Sequence, residues 1–148
     1  MAFEFRYASL EDIDDILAIE VEAMSTPWTY SSYKEAIDSD HAFIVVATEE
    51  NTIAAFAVFY LTVPEAELPD IVVERGHRGQ GLGRLLMDYS LSQLKSKGVD
   101  TLFLEVRESN VAARSLYTRV GFEEIGKRKY FYSDPVEDAI CMRLDIEI

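Results

Sequence analysis

The segment Arg78-Gly79-Gln80-Gly81-Leu82-Gly83 stands between an apolar run, Ile71-Val72-Val73, and a stretch in which Leu82, Leu85, Leu86, Tyr89 and Leu94 recur at helical spacing. It therefore ends a strand and opens a helix. At such a junction the first backbone N–H groups of the helix have no internal partners, and the helix dipole places partial positive charge there. Glycines let phosphate oxygens approach those amides, and Arg78 adds a charge-assisted donor. A pyrophosphate fits this chemistry, although a connection that only turns the chain uses the same residues. Two familiar phosphate loops are excluded. A P-loop requires Lys and then Ser or Thr after Gly81, where this chain has Leu82 and Gly83, and a dinucleotide fingerprint counted from Gly79 requires glycine in place of Arg84.

The flanking sequence predicts a mixed α/β fold. Phe3, Phe5 and Tyr7 alternate with polar or small residues as in a half-buried strand. Ser9 with Asp12 approximates a capping box for a helix over about residues 10–24, which Thr26-Pro27-Trp28 interrupts. Ser32 with Glu35 predicts the cap of a second, short helix. Strands follow over 42–48, 52–62 and 65–73, then the helix that Gly98 closes, a strand over 101–107 and a helix over 111–120 stopped by Gly121. Runs at 122–124, 129–132 and 138–146 predict the closing strands. The order β-α-α-β-β-β-α-β-α-β-β gives one α/β domain over 1–148 with helices packed on a mixed sheet.

Composition narrows the partners. Fourteen basic against 27 acidic side chains give a formal charge of −13, which opposes binding to nucleic-acid backbones or an anionic membrane and suits a cationic substrate or simple solubility. The one cysteine, Cys141, cannot form an internal disulfide, and no run approaches the ~20 apolar residues of a membrane span; a cytoplasmic location is expected. His41 and His77 belong to no cluster at metal spacing, so no metal is expected.

Ile71-Val72-Val73 followed by Arg78-Gly79-Gln80-Gly81-Leu82-Gly83 resembles the acetyl-coenzyme A motif of the GNAT acetyltransferases. Leu104-Glu105-Val106-Arg107, Asn110, Ala113, Leu116-Tyr117 and Val120-Gly121-Phe122 resemble the second half of that fold. Trp28 and the late Glu137-Asp138-Ala139 are similar to the RimI-type ribosomal-protein alanine N-acetyltransferases within the family. Arg75 departs from the pattern, standing where many relatives carry proline, as does the aromatic run Tyr130-Phe131-Tyr132. The resemblance implies a GNAT fold: a mostly antiparallel sheet with helices on both faces, and strands four and five splayed around acetyl-CoA. It implies transfer of acetyl directly to an amine, here the N-terminal amine of a basic ribosomal protein. A small-molecule amine or a lysine would use the same donor site, and a non-catalytic acyl-CoA sensor would keep the fold alone.

Acyl transfer to an amine needs a base for the ammonium, a donor for the developing oxyanion and a proton for the departing thiolate. Glu105 sits in the apolar strand Leu102-Phe103-Leu104-Glu105-Val106, a surround that disfavours its charged form. By residue type it either pairs with Arg107 or Arg114 or accepts a proton; the resemblance implies the general base. Tyr117 is by type a packing residue, and the resemblance implies the general acid. Asn110, seven positions earlier, reads as a helix N-cap or as a ligand of the pantetheine arm. The resemblance implies that the backbone of Ile71, Val72 and Val73 pairs with pantetheine and that the Val73 amide holds the oxyanion. Arg78, Gly79, Gln80, Gly81, Leu82 and Gly83 would bind the pyrophosphate, and Trp28, Glu67 and Tyr132 the acceptor. Glu67 is also the second candidate base, and Glu65, Glu67 and Asp70 either bind the substrate ammonium or relay its proton, or stand on a solvated strand edge.

Overall fold

A computed structural model describes residues 2–23 and 28–146. Its elements are β1 (Glu4–Tyr7), a 3-10 turn (Leu10–Asp12), α1 (Ile13–Ala23), α2 (Tyr30–Asp38), β2 (Ala42–Glu49), β3 (Thr52–Thr62), β4 (Glu65–Val73), a second 3-10 turn (Arg75–His77), α3 (Leu82–Ser96), β5 (Thr101–Arg107), α4 (Val111–Val120), β6 (Glu123–Ser133) and β7 (Val136–Asp145). The element order is the one the hydropathy pattern predicts. Three boundaries differ. The first helix begins with the 3-10 turn, and its expected end at residue 24, with Thr26-Pro27, lies outside the described residues. The second helix is capped by Thr29 rather than Ser32: Thr29 Oγ1 accepts the Ser32 N–H at 3.1 Å, so the chain enters the helix one turn earlier. The separate runs at 122–124 and 129–132 form one strand, β6, whose register shifts after Glu124 and after Arg128, where Tyr130 adopts φ +58°. Those irregularities break the alternation by which a continuous strand is recognised.

Among the described residues seven strands form one sheet in the order β1-β2-β3-β4-β5-β7-β6, antiparallel except between β4 and β5. Two apolar cores cover its faces. On one, Leu82, Leu86, Met87 and Leu94 of α3 and Tyr117 of α4 pack on Phe43, Ala57, Phe59, Leu102 and Leu104. On the other, Ile13, Ile16 and Ile19 of α1 and Tyr33 and Ala36 of α2 pack on Ile44, Val46, Phe56 and Val58.

One irregularity shapes the middle of the sheet. Val58 pairs with Asp70 and Tyr60 with Glu67, so Leu68 and Pro69 together oppose the single residue Phe59. Proline has no amide to give to a ladder, and a bulge of this kind bends and twists the strand that carries it. β4 accordingly stays beside β5 only from Glu65 to Glu67, opposite Thr101 to Phe103, and then diverges. The bulge also exchanges faces. Ala66 and Leu68 join the α3 core, whereas Val72 joins the α1 core and Ile71 and Val73 take the α3 side. The result is a V-shaped opening in the sheet, floored by the paired ends of β4 and β5.

Candidate active site

The walls of the opening follow from hydrogen-bond phase. Glu74 N–H donates to Ala54 O at 2.8 Å, so the pairs in step with it, Val72 with Phe56 and Asp70 with Val58, exchange the ladder bonds. Ile71 and Val73 consequently turn their N–H and C=O groups away from β3 and into the opening. Val72 commits its backbone to β3 and its side chain to the α1 core. On the other wall, Glu108 N–H reaches Asp138 O at 3.1 Å, which places Leu104 and Val106 in the bonded phase with β7 and leaves the backbone of Glu105 and Arg107 facing β4.

The glycine turn lies at the mouth of this opening. Gly79 and Gly81 adopt φ of +79° and +78°, a region that side chains rarely enter, and a Cβ built on either would meet no atom within 4 Å. That empty space is where a phosphate would approach the backbone. Leu82 buries its side chain in the core and offers only its N–H, at the start of α3. Gly83 serves packing: a Cβ there would stand 3.3 Å from Leu116 Cδ2. Arg78 Nε donates to Val73 O at 3.0 Å, tying the guanidinium to the end of β4, and the exposed Gln80 reaches back to Gly76 O at 3.4 Å. Glu74 braces the approach by accepting the Gly76 N–H and contacting His77 Nδ1, and these bonds hold its carboxyl below the usual range. These groups fit the pyrophosphate of a coenzyme A.

Glu105, Tyr117 and Tyr132 converge on the opening from three elements. Glu105 is half-buried on β5, and its Oε2 is enclosed without a hydrogen bond, 3.6 Å from Arg128 Nε. The alternative pairing with Arg107 or Arg114 does not occur: Arg107 pairs with Glu137 at 3.2 Å and Arg114 with Glu124 at 2.7 Å. Tyr132 lies under the Arg107 guanidinium, 4.4 Å from its ring centroid; burial first, then the Glu105 charge, pushes its phenol up to about 12. Tyr117 is buried on α4, edge-on to Phe122. Burial raises its phenol, and the charge of Asp70 across the opening and Tyr132 add to the shift. Among the described residues its hydroxyl has no hydrogen-bond partner, so it is free for a ligand. Asn110 caps α4 by accepting the Ala113 N–H at 3.2 Å, which leaves its NH2 group uncommitted.

The acceptor candidates form a second group on the α1 side. Trp28 stacks on Tyr33 and Tyr60, with centroids 5.2 and 6.0 Å away. Glu67 is exposed on β4, and with burial and the charge of Glu35 it holds the Tyr60 phenol above its usual value. Asp70 departs from the expected solvated edge: the bulge turns it inward, where it meets Glu20 of α1. Glu20 is fully buried and accepts the Trp28 N–H. Sequence reasoning passed over Glu20, although a carboxylate four positions after Ile16 lies on the apolar stripe of Ile13 and Ile16.

With this geometry in place, the family model of the acetyltransferase (GNAT) family matches residues 13–122, from the start of α1 to the end of α4. The chain belongs to the GNAT acetyltransferases. Its match therefore spans the glycine turn, the diverging strands, Glu105, Asn110 and Tyr117, while β6 and β7 lie beyond it. A [ribosomal protein bS18]-alanine N-acetyltransferase of Escherichia coli K12 is 37% identical over 145 residues, covering 95% of this chain and 97% of that protein. The crystal structure of the ribosomal-protein-S18-alanine N-acetyltransferase from Escherichia coli superposes with a TM-score of 0.91 at 34% identity, covering 99% of this chain and 96% of the other. A chain of the NatC complex bound to Gag peptide and CoA shares the fold of this acetyltransferase, with a TM-score of 0.85 at 18% identity over 99% of this chain and 100% of that one.

Proposed function

We propose that this acetyltransferase, acting as a single domain, transfers acetyl from acetyl-CoA to the N-terminal α-amine of a ribosomal protein in the cytoplasm, with bS18, the substrate named for its relatives, as the first candidate. The observation that carries the reading is the opening itself: unpaired backbone N–H groups of Ile71 and Val73 on one wall, Glu105 on the other, and the free Tyr117 hydroxyl between them. Acetyl-CoA bound there supplies the thioester, the turn from Arg78 to Gly83 and Asn110 hold it, and no metal takes part.

The acceptor arrives as an ammonium. Glu105 takes one proton from it, directly or through water, with Arg128 beside it to stabilise the carboxylate until it acts. The amine nitrogen then bonds to the carbonyl carbon and the carbon–sulfur bond breaks. The Val73 N–H, aimed into the opening, donates to the carbonyl oxygen as it gains charge. Burial keeps the proton on Tyr117, so its O–H meets the departing sulfur as a hydrogen-bond donor. The proton that the sulfur finally keeps balances the second one that the nitrogen sheds. Trp28, Tyr132 and the exposed Glu67 line the acceptor side, and the chain's charge of −13 favours a basic polypeptide.

One peptide tests the acceptor. It begins with alanine, contains an internal lysine and is prepared with its N-terminus free or blocked. Fragmentation of the product places the acetyl group on the α-amine of the free peptide, with no product from the blocked one. Acetyl-lysine in the blocked peptide would move this chain to the lysine-directed reading. Binding of acetyl-CoA without transfer to any amine would favour a sensor.

A further inference from the structure

Glu20 and Asp70 take no part in the chemistry above, yet they join its two sides where α1 crosses β4. Glu20 Oε1 accepts the backbone N–H of Trp28, on the acceptor wall. Glu20 Oε2 and Asp70 Oδ2 are each enclosed without a hydrogen-bond partner among the described residues, and the two buried carboxyls lie against each other. Asp70 stands next to Ile71, where β4 turns its backbone into the opening. Two ionised carboxylates in contact inside an apolar core repel, whereas a pair holding one proton makes an O–H···O bond that satisfies both oxygens.

We propose that Glu20 and Asp70 are positioning residues: one proton shared between them ties the Trp28 wall of the acceptor cleft to β4, and its loss at alkaline pH loosens the grip on the acceptor amine. The inference takes the identity of the acceptor from the function proposed above. Burial first, then the hydrogen bond and charge of Glu20, push the Asp70 carboxyl up to about 8, and burial raises Glu20 as well. Among the described residues Tyr117 of α4 also faces Asp70; Glu35 of α2 and Glu67 of β4 act on Tyr60 of β3. Among the described residues no lysine, arginine or histidine forms an ion pair with either carboxyl. Above its titration the pair carries two negative charges, and the contact becomes repulsive.

Trp28 is the chain's sole tryptophan, so its emission reports on that wall without any assay of activity. Emission and acrylamide quenching are followed between about pH 6.5 and 9.5 in the full chain, in Asp70→Asn and in Glu20→Gln, each amide carrying a permanent donor. In parallel, KM for a peptide with a free N-terminal alanine is measured and compared as the ratio of wild type to variant, which cancels the titration of the amine itself. The wild type is expected to show a transition with its midpoint near 8. Its peptide KM should rise about tenfold relative to the variants from about pH 7 to 9, while KM for acetyl-CoA stays within about twofold. Either amide variant that folds should lack the emission transition. A flat wild-type titration, or amide variants that titrate as the wild type does, would overturn the proposal. A transition that the amides remove, in an enzyme that leaves the peptide untouched, supports the shared proton and sinks the acceptor assignment instead.

Discussion

β4 and β5 start as paired neighbours and end as the two walls of a cleft, but they furnish it differently. β4 carries a bulge at Leu68-Pro69 and presents main chain: the N–H groups of Ile71 and Val73 and the C=O of Ile71. β5 is regular along its whole pairing with β7 and presents a side chain, Glu105. The difference teaches that a strand can contribute to a site by what it fails to pair with as much as by its residues. On β4 the geometry is set by one proline and one extra residue, and side-chain identity should matter little. On β5 one carboxylate should matter greatly.

The largest effect should come from β5. Glu105→Gln removes the proposed proton acceptor with little change in shape and should lower kcat/KM for the peptide by about 10²–10⁴, with acetyl-CoA binding retained. Calorimetric titration with acetyl-CoA beside steady-state kinetics separates the two. Tyr117→Phe keeps the packing against Phe122 and removes one hydroxyl; kcat should fall by about 10² with little change in either KM. At the turn, Gly81→Ala forces a side chain onto φ +78°, a strain of roughly 1–2 kcal/mol, and should raise KM for acetyl-CoA by about tenfold while sparing the acceptor. Stability should respond to Asp70. Its carboxyl binds a proton more tightly folded than unfolded, so this contribution is fully present below about pH 4 and is lost as pH rises to about 8. Denaturant unfolding at several pH values should show that decline in the wild type and a shallower one in Asp70→Asn. The smallest effect should be Ile71→Val on β4, with under about twofold change in kcat/KM and a stability loss of roughly 0.5–1.5 kcal/mol. An Ile71→Val enzyme as impaired as Glu105→Gln would erase the contrast between the two walls.

Much of this arrangement was legible in the chain. Alternation gave the helices and strands in order as far as α4, while β6 read as two runs, and the glycines around Gln80 marked the turn proposed to hold the pyrophosphate because their left-handed backbone is locally encoded. Glu105 was legible because a carboxylate inside an apolar strand demands a reason. Its partner was not: Arg128 reaches it from β6, whose register depends on bulges near Gly126 and Tyr130 that leave no periodic trace. Asp70 was misplaced for a related reason. Pro69 signals a disturbed ladder, but which face Asp70 then takes depends on the count of residues opposite Phe59, a property of pairing between strands. Thr29 was passed over as a cap because Ser32 with Glu35 completes a familiar pattern three residues later.

The central claim is that this cleft acetylates the α-amine of a ribosomal protein. Ribosomal proteins isolated without N-terminal acetylation, incubated with purified enzyme and acetyl-CoA and analysed by mass spectrometry, test it most directly. The account predicts a single acetyl group on the first residue of bS18 or another ribosomal protein, absent when Glu105→Gln replaces the wild type. Acetylation confined to lysine side chains, or undiminished acetylation by Glu105→Gln, would contradict it.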